Sequence, residues 1–171
     1  MKRILIFIAG FIFLVSVSAQ ETDVKSSKKN EIGINAGATT GLGLSYRRWF
    51  GKVGFQLTGL PIKTDKATII SLGLTALYSF YDAHYVRVYG FLGNHYFVDK
   101  ESETNQIWDN GSFNGTQKTT YDHSSYNIGI GPGFAFGKVV RFNFMVGYGF
   151  YDVLDKFKMY PTGEIGLYYN F

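Results

Sequence analysis

Val139-Val140-Arg141-Phe142-Asn143-Phe144-Met145-Val146-Gly147-Tyr148-Gly149-Phe150-Tyr151 decides the fold. Every second residue of this stretch is large and apolar: Val140, Phe142, Phe144, Val146, Tyr148 and Phe150. The residues between them, Arg141, Asn143, Met145, Gly147 and Gly149, are mostly polar or small. Side chains of a strand point alternately to its two faces, so a period of two is a strand with one apolar face. The segment before it repeats the pattern. Tyr126, Ile128, Ile130, Pro132, Phe134 and Phe136 oppose Ser125, Asn127, Gly129, Gly131, Gly133 and Ala135.

Carried along the chain, this period predicts eight strands, near 31–37, 41–50, 52–60, 68–81, 84–98, 121–136, 139–151 and 159–171. The connections near 51, 82–83 and 137–138 are tight. Those near 61–67, 99–120 and 152–158 are longer and polar or charged, and only 38–40 breaks the alternation by being short. Tight turns at one end and long loops at the other is the layout of a membrane β-barrel. The bulk of the apolar face fixes which way it points. An eight-stranded barrel has an interior just wide enough for side chains. Ile70, Leu72, Leu74, Tyr78 and Phe80 of a single strand must therefore face out, with Ser71, Gly73, Thr75 and Ser79 inside beside Ile69 and Leu77. Trp49, Phe50, Tyr78, Phe80, Phe134, Phe136, Tyr169 and Phe171 gather toward the tight-turn end, and Tyr96, Tyr126, Tyr148 and Phe150 toward the other. Two aromatic girdles around an aliphatic band mark the two interfaces of a bilayer.

Composition narrows the alternatives. The 171 residues contain no Cys and three His, which excludes disulfides, thiolate zinc sites and cysteine nucleophiles and leaves little for a metal centre. Aromatics at 18% argue against disorder, and 21 Gly among so many Tyr and Phe argue against a helical enzyme. Met1-Lys2-Arg3, the apolar run Ile4 to Val17, and the small residues Ser18-Ala19 have the three-part layout of a secretory signal peptide. Residues 1–19 are thus expected to be a cleaved signal peptide, 20–30 a flexible periplasmic lead-in, and 31–171 the barrel. Removing Lys2 and Arg3 from the 17 basic residues leaves 15 against 13 acidic ones, too even a balance for a nucleic-acid partner.

The last strand is the most specific segment: Glu164-Ile165-Gly166-Leu167-Tyr168-Tyr169-Asn170-Phe171. Glu164, Gly166, Tyr169 and Phe171 fill the polar, glycine, apolar and terminal-aromatic places of the assembly signal of outer-membrane β-barrels, so the chain from about residue 31 resembles the small eight-stranded porin-like or outer-membrane-protein-A-type barrels. The resemblance implies an all-β, eight-stranded antiparallel transmembrane up-and-down barrel in the outer membrane of a Gram-negative cell. It also implies recognition by the barrel-assembly machinery, and contact with outer-membrane lipid and lipopolysaccharide. With Phe171 read as the end of the chain, no peptidoglycan-binding domain is expected to follow.

Candidate site residues lie on the inner face. Arg47, Arg87 and Arg141 fall on inward positions near the tight-turn end, with Glu31 and Glu164 as inward acids. They read as a lumen ion-pair network, because a buried arginine needs a carboxylate or carbonyl partner. The competing reading is a basic constriction in a narrow porin-like channel for small solutes, anions favoured. His123 and Ser125, two apart on one strand, share a face as base and nucleophile must. That keeps a lipid A-modifying enzyme in view, but both residues face inward by parity and no Asp or Glu follows on that strand or the next before Asp152 to orient the histidine. No catalytic residue, metal or cofactor is therefore expected. Trp108 and Phe113 in the segment 99–120 are candidate contacts to a partner, unless that segment is a hairpin over the barrel mouth. The reading that results is a non-enzymatic outer-membrane barrel with a mostly filled polar lumen, acting through its outer loops. Substrate, partner and oligomeric state are not specified by the residues.

Overall fold

The computed structural model describes residues 29–64, 67–83, 85–109 and 112–171, with the side chains of 101–118, 120 and 121 outside that description. The expected signal peptide and most of the lead-in lie outside the described residues. Eight strands follow in order: β1 (Asn30–Gly37), β2 (Gly41–Phe50), β3 (Val53–Lys63), β4 (Ala67–Asp82), β5 (Val86–Asp109), β6 (Ser112–Phe136), β7 (Val140–Tyr151) and β8 (Lys158–Asn170). Each pairs antiparallel with its sequence neighbour, and β1 closes on β8. The result is an all-β, closed, up-and-down barrel.

The faces separate as the period of two requires. Outward residues include Leu44, 73% exposed, and Phe80, 66% exposed, with Ile34, Leu72, Ile130, Phe142, Ile165 and Leu167 also exposed. Inward residues are nearly solvent-free. Trp49, Leu77, Tyr89, Phe91, Ala135 and Met145 form the apolar core. Arg47, Gln56, Thr58, Asn143 and Glu164 are buried beside them.

Three departures from the sequence expectation have identifiable causes. Trp49 is not in the outer girdle: it is 2% exposed and faces inward. It sits two residues from Arg47, so the parity that puts Arg47 inside puts Trp49 there too, leaving Arg48 and Phe50 outside. The second departure is a bulge in β4 between Ser79 and Tyr81. One extra residue inverts the alternation beyond it. Tyr81 is thereby exposed, and Asp82 is brought opposite Arg87. The third concerns 99–120, which is not a loop. β5 and β6 continue through it in unbroken register from Val86↔Phe136 up to Ile107↔Gly115, with Trp108 opposite Phe113 near the tip. β4 stops at Ala67↔Glu101, so the hairpin extends eight residues past its neighbour. At about 3.4 Å per residue it stands about 27 Å beyond the end of β4.

Candidate functional site: two polar layers in the lumen

The lower layer lies at the tight-turn end, where Glu31 near the start of β1 receives three arginines from three strands. Arg47 Nη1 donates to Glu31 Oε2 at 3.3 Å. Arg87 Nη1 and Arg141 Nη1 both donate to Glu31 Oε1, each at 3.2 Å. Arg87 Nη2 reaches Asp82 Oδ2 at 2.7 Å. Arg47 is the best-served cation: Nε and Nη2 donate to Gln56 Oε1 at 3.2 and 2.6 Å, and Nη1 to Asn143 Oδ1 at 2.6 Å. Aromatic faces complete the shell. Arg47 lies 4.3 Å from the ring centre of Tyr168 and 5.3 Å from that of Tyr89, and Arg87 lies 4.2 Å from the ring of Trp49. A cation over a ring face is attracted to the ring quadrupole, most when water is excluded. Sequence parity thus identified Arg47, Arg87, Arg141 and Glu31 as one group. It missed Asp82, which only the bulge turns inward, and the aromatic faces: Trp49, which side-chain size assigns outside, and Tyr89 and Tyr168, to which no role is given.

Glu164 is not part of this group. It belongs to an upper layer built on the turn between β1 and β2. That hairpin is short, and Ala38-Thr39-Thr40 fold into the bore instead of standing at its rim, with Thr39 and Thr40 fully buried. Glu164 accepts hydrogen bonds from the backbone N–H of Thr39 at 3.2 Å, from the hydroxyls of Thr39 and Thr40, and from Thr162 Oγ1 at 3.5 Å. Asn35 Nδ2 donates to Thr40 Oγ1 and to Gly41 O, both at 2.9 Å. On the far wall, Ala38 O accepts from His95 Nδ1 at 2.8 Å and from Asn127 Nδ2 at 3.1 Å. Because a carbonyl cannot donate, His95 carries a proton on Nδ1. In the neutral imidazole Nε2 then accepts a hydrogen bond from the Ser71 hydroxyl at 2.9 Å, while Ser71 Oγ accepts from the Leu42 N–H at 2.9 Å.

Glycines make room for this turn. A Cβ on Gly73, Gly93 or Gly129 would collide with Thr39 or Thr40. Gly41 enters β2 at φ +93°, in the region that favours glycine. The short 38–40 connection was visible in the sequence as an exception among the outer loops, and the inward glycines are its signature.

The remaining sequence candidates are placed as follows. His123 is exposed and Ser125 half-buried, on the strand face that Asn127 and Gly129 turn inward lower down, and no hydrogen bond joins them among the described residues. Trp108 and Phe113 are placed by backbone pairing only. In β8, Gly166 faces in, while Tyr169 and Phe171 face out, stacked with ring centres 6.3 Å apart. Lys100 and Asp122 pair at 2.6 Å on the projecting hairpin, both half exposed.

A closed eight-stranded antiparallel barrel with an apolar outside and a polar, packed inside is the class this arrangement defines. Two solved structures resemble it. The N-terminal β-barrel domain of OprF from Pseudomonas aeruginosa is 17% identical, with a TM-score of 0.51 over 85% of this chain and 98% of that one. Ail, the attachment invasion locus protein of Yersinia pestis, is 18% identical, with a TM-score of 0.34 over 84% and 94%. The first likeness shows the fold. No protein-family model and no curated protein matches the chain.

Proposed function

We propose that this chain spans the outer membrane of a Gram-negative cell as a sealed barrel, and that it acts through what it displays outside rather than through what passes within. The observation that supports this reading is a pair of packed layers in the bore: a carboxylate-bridged arginine layer below, and a buried turn above. The apolar outer wall supports the membrane setting, because only lipid makes so many exposed Leu, Ile and Phe favourable. The OprF-like fold and the assembly signal of Glu164, Gly166, Tyr169 and Phe171 support the outer membrane in particular. The β5–β6 hairpin carries the surface role. Its backbone rises beyond its neighbours, its sequence is rich in Thr, Asn, Gln and charged residues, and Trp108 is paired opposite Phe113 near the tip. Lipopolysaccharide and a surface partner are the contacts this reading assigns to it, and the barrel-assembly machinery to β8. Intact cells treated with protease test the proposal. Cleavage within 102–120, leaving a barrel fragment that resists carbonate extraction and runs faster unheated than heated, is expected. A soluble periplasmic protein would overturn it.

A further inference from the structure

We propose that the tight-turn mouth of the barrel holds a small monovalent anion on Arg141, beside Arg87. Among the described residues the lower layer contains three guanidiniums, which are charged at every pH a protein meets, and two carboxylates, Glu31 and Asp82. Counted over those residues, one positive charge is in excess in a layer where all three arginines are nearly solvent-free. Buried charges require partners. Glu164 does not supply the balance, because its carboxylate is taken by the buried turn.

The excess charge localises to Arg141. Arg47 has Gln56, Asn143, Glu31 and two aromatic faces, and Arg87 has Glu31, Asp82 and the face of Trp49. Among the described residues Arg141 donates one hydrogen bond, from Nη1 to Glu31 Oε1, and shares that oxygen with Arg87. Its Nε is buried without a partner. Both Nη1 atoms lie 3.2 Å from the same oxygen, so the two cations are close neighbours and an anion reached by both would relieve their repulsion. Arg141 is the second residue of β7, next to the turn at 137–139, so the site lies at the tight-turn end. The Nε and Nη2 edge of a guanidinium fits a carboxylate in two parallel hydrogen bonds and also accepts a halide. The ligand class is therefore a small monoanion, of chloride or formate size.

The test uses the full chain folded in detergent micelles. Sodium gluconate is replaced by sodium chloride at constant ionic strength, with thermal unfolding and the chloride-35 NMR linewidth as readouts. A saturable rise in unfolding temperature and a broadened chloride line are expected, with formate narrowing the line by competition. Arg141→Gln should abolish both responses. Arg141→Lys, which keeps the charge and loses the fork, should weaken half-saturation by about tenfold, and it serves if the Gln variant does not fold. Asp82→Asn raises the excess charge and should tighten binding. Unfolding indifferent to the anion in the unmodified chain, an unchanged response in either Arg141 variant, or looser binding in Asp82→Asn would each overturn the assignment. A response only to formate would name the ligand a carboxylate, and a response only to chloride would name it a halide; both retain the site.

Discussion

Replacing Glu31 by Gln removes the charge that three arginines share while leaving its shape. Arg87 keeps Asp82, and Arg47 keeps Gln56 and Asn143, but Arg141 loses its one protein acceptor among the described residues. The layer then holds three cations against one carboxylate. Breaking a buried pair by removing one partner costs about 3–5 kcal/mol. The three contacts are coupled through one carboxylate, so their losses do not add, and the cost of stranding Arg141 sets the scale. At about 1.4 kcal/mol per decade this is about two to three and a half decades in the folding equilibrium constant. Reversible urea unfolding in lipid vesicles measures it, followed by the loss of the fast-migrating unheated band and by fluorescence of the inward Trp49. The double variant Glu31→Gln with Arg141→Met should recover part of the loss, because the stranded cation is gone. A Glu31→Gln barrel within about 1 kcal/mol of the unmodified one, the range of an exposed pair, would refute the argument that this layer is dry and charge-bridged.

Gly129→Leu should drive Thr39 out of the bore. In this cysteine-free chain, Thr39→Cys should react slowly with a maleimide alone and rapidly when combined with Gly129→Leu. Leu44→Arg places a charge on the outer apolar band and should cost up to about 2–4 kcal/mol in vesicle unfolding, the value falling toward zero if Leu44 lies near an interface. Tyr169→Asp sits at the rim, so its lipid penalty is small and the purified chain should refold nearly normally. In cells it should nonetheless fail to reach the membrane, because the assembly signal is damaged, and normal membrane levels would argue against that role.

Much of this architecture was legible in the sequence because a barrel wall obeys a simple period. Strand alternation follows from backbone geometry alone, so 139–151 and 125–136 announced their two faces, and Arg47, Arg87, Arg141 and Glu31 fell on one side by counting. Counting fails wherever the period is interrupted. The bulge at Ser79–Tyr81 inverted the parity of Asp82, and nothing in that stretch of Tyr and Phe marks where the extra residue goes. Trp49 fails for a different reason: its size points to the outer girdle, but parity with Arg47 fixes it on the inner face. Glu164 shares the inner face with the arginines, but parity gives inwardness and not height along the bore. The turn at 38–40 shows the same limit. Its shortness was plain, but that it folds inward depends on Gly73, Gly93 and Gly129 from three other strands meeting at one level. The polar composition of 99–120 suggests a loop because a sequence with no apolar stripe offers no period to read.

Single-channel recording of the purified barrel in a planar bilayer tests the seal most directly. With the arginine layer and the buried turn both in place, the account predicts no steady ionic conductance above the bilayer baseline, in either salt of chloride or gluconate. Small, stable, ohmic channels from the unmodified chain would contradict it, and would mean that the lumen is a pore lined by these residues instead of a bore filled by them.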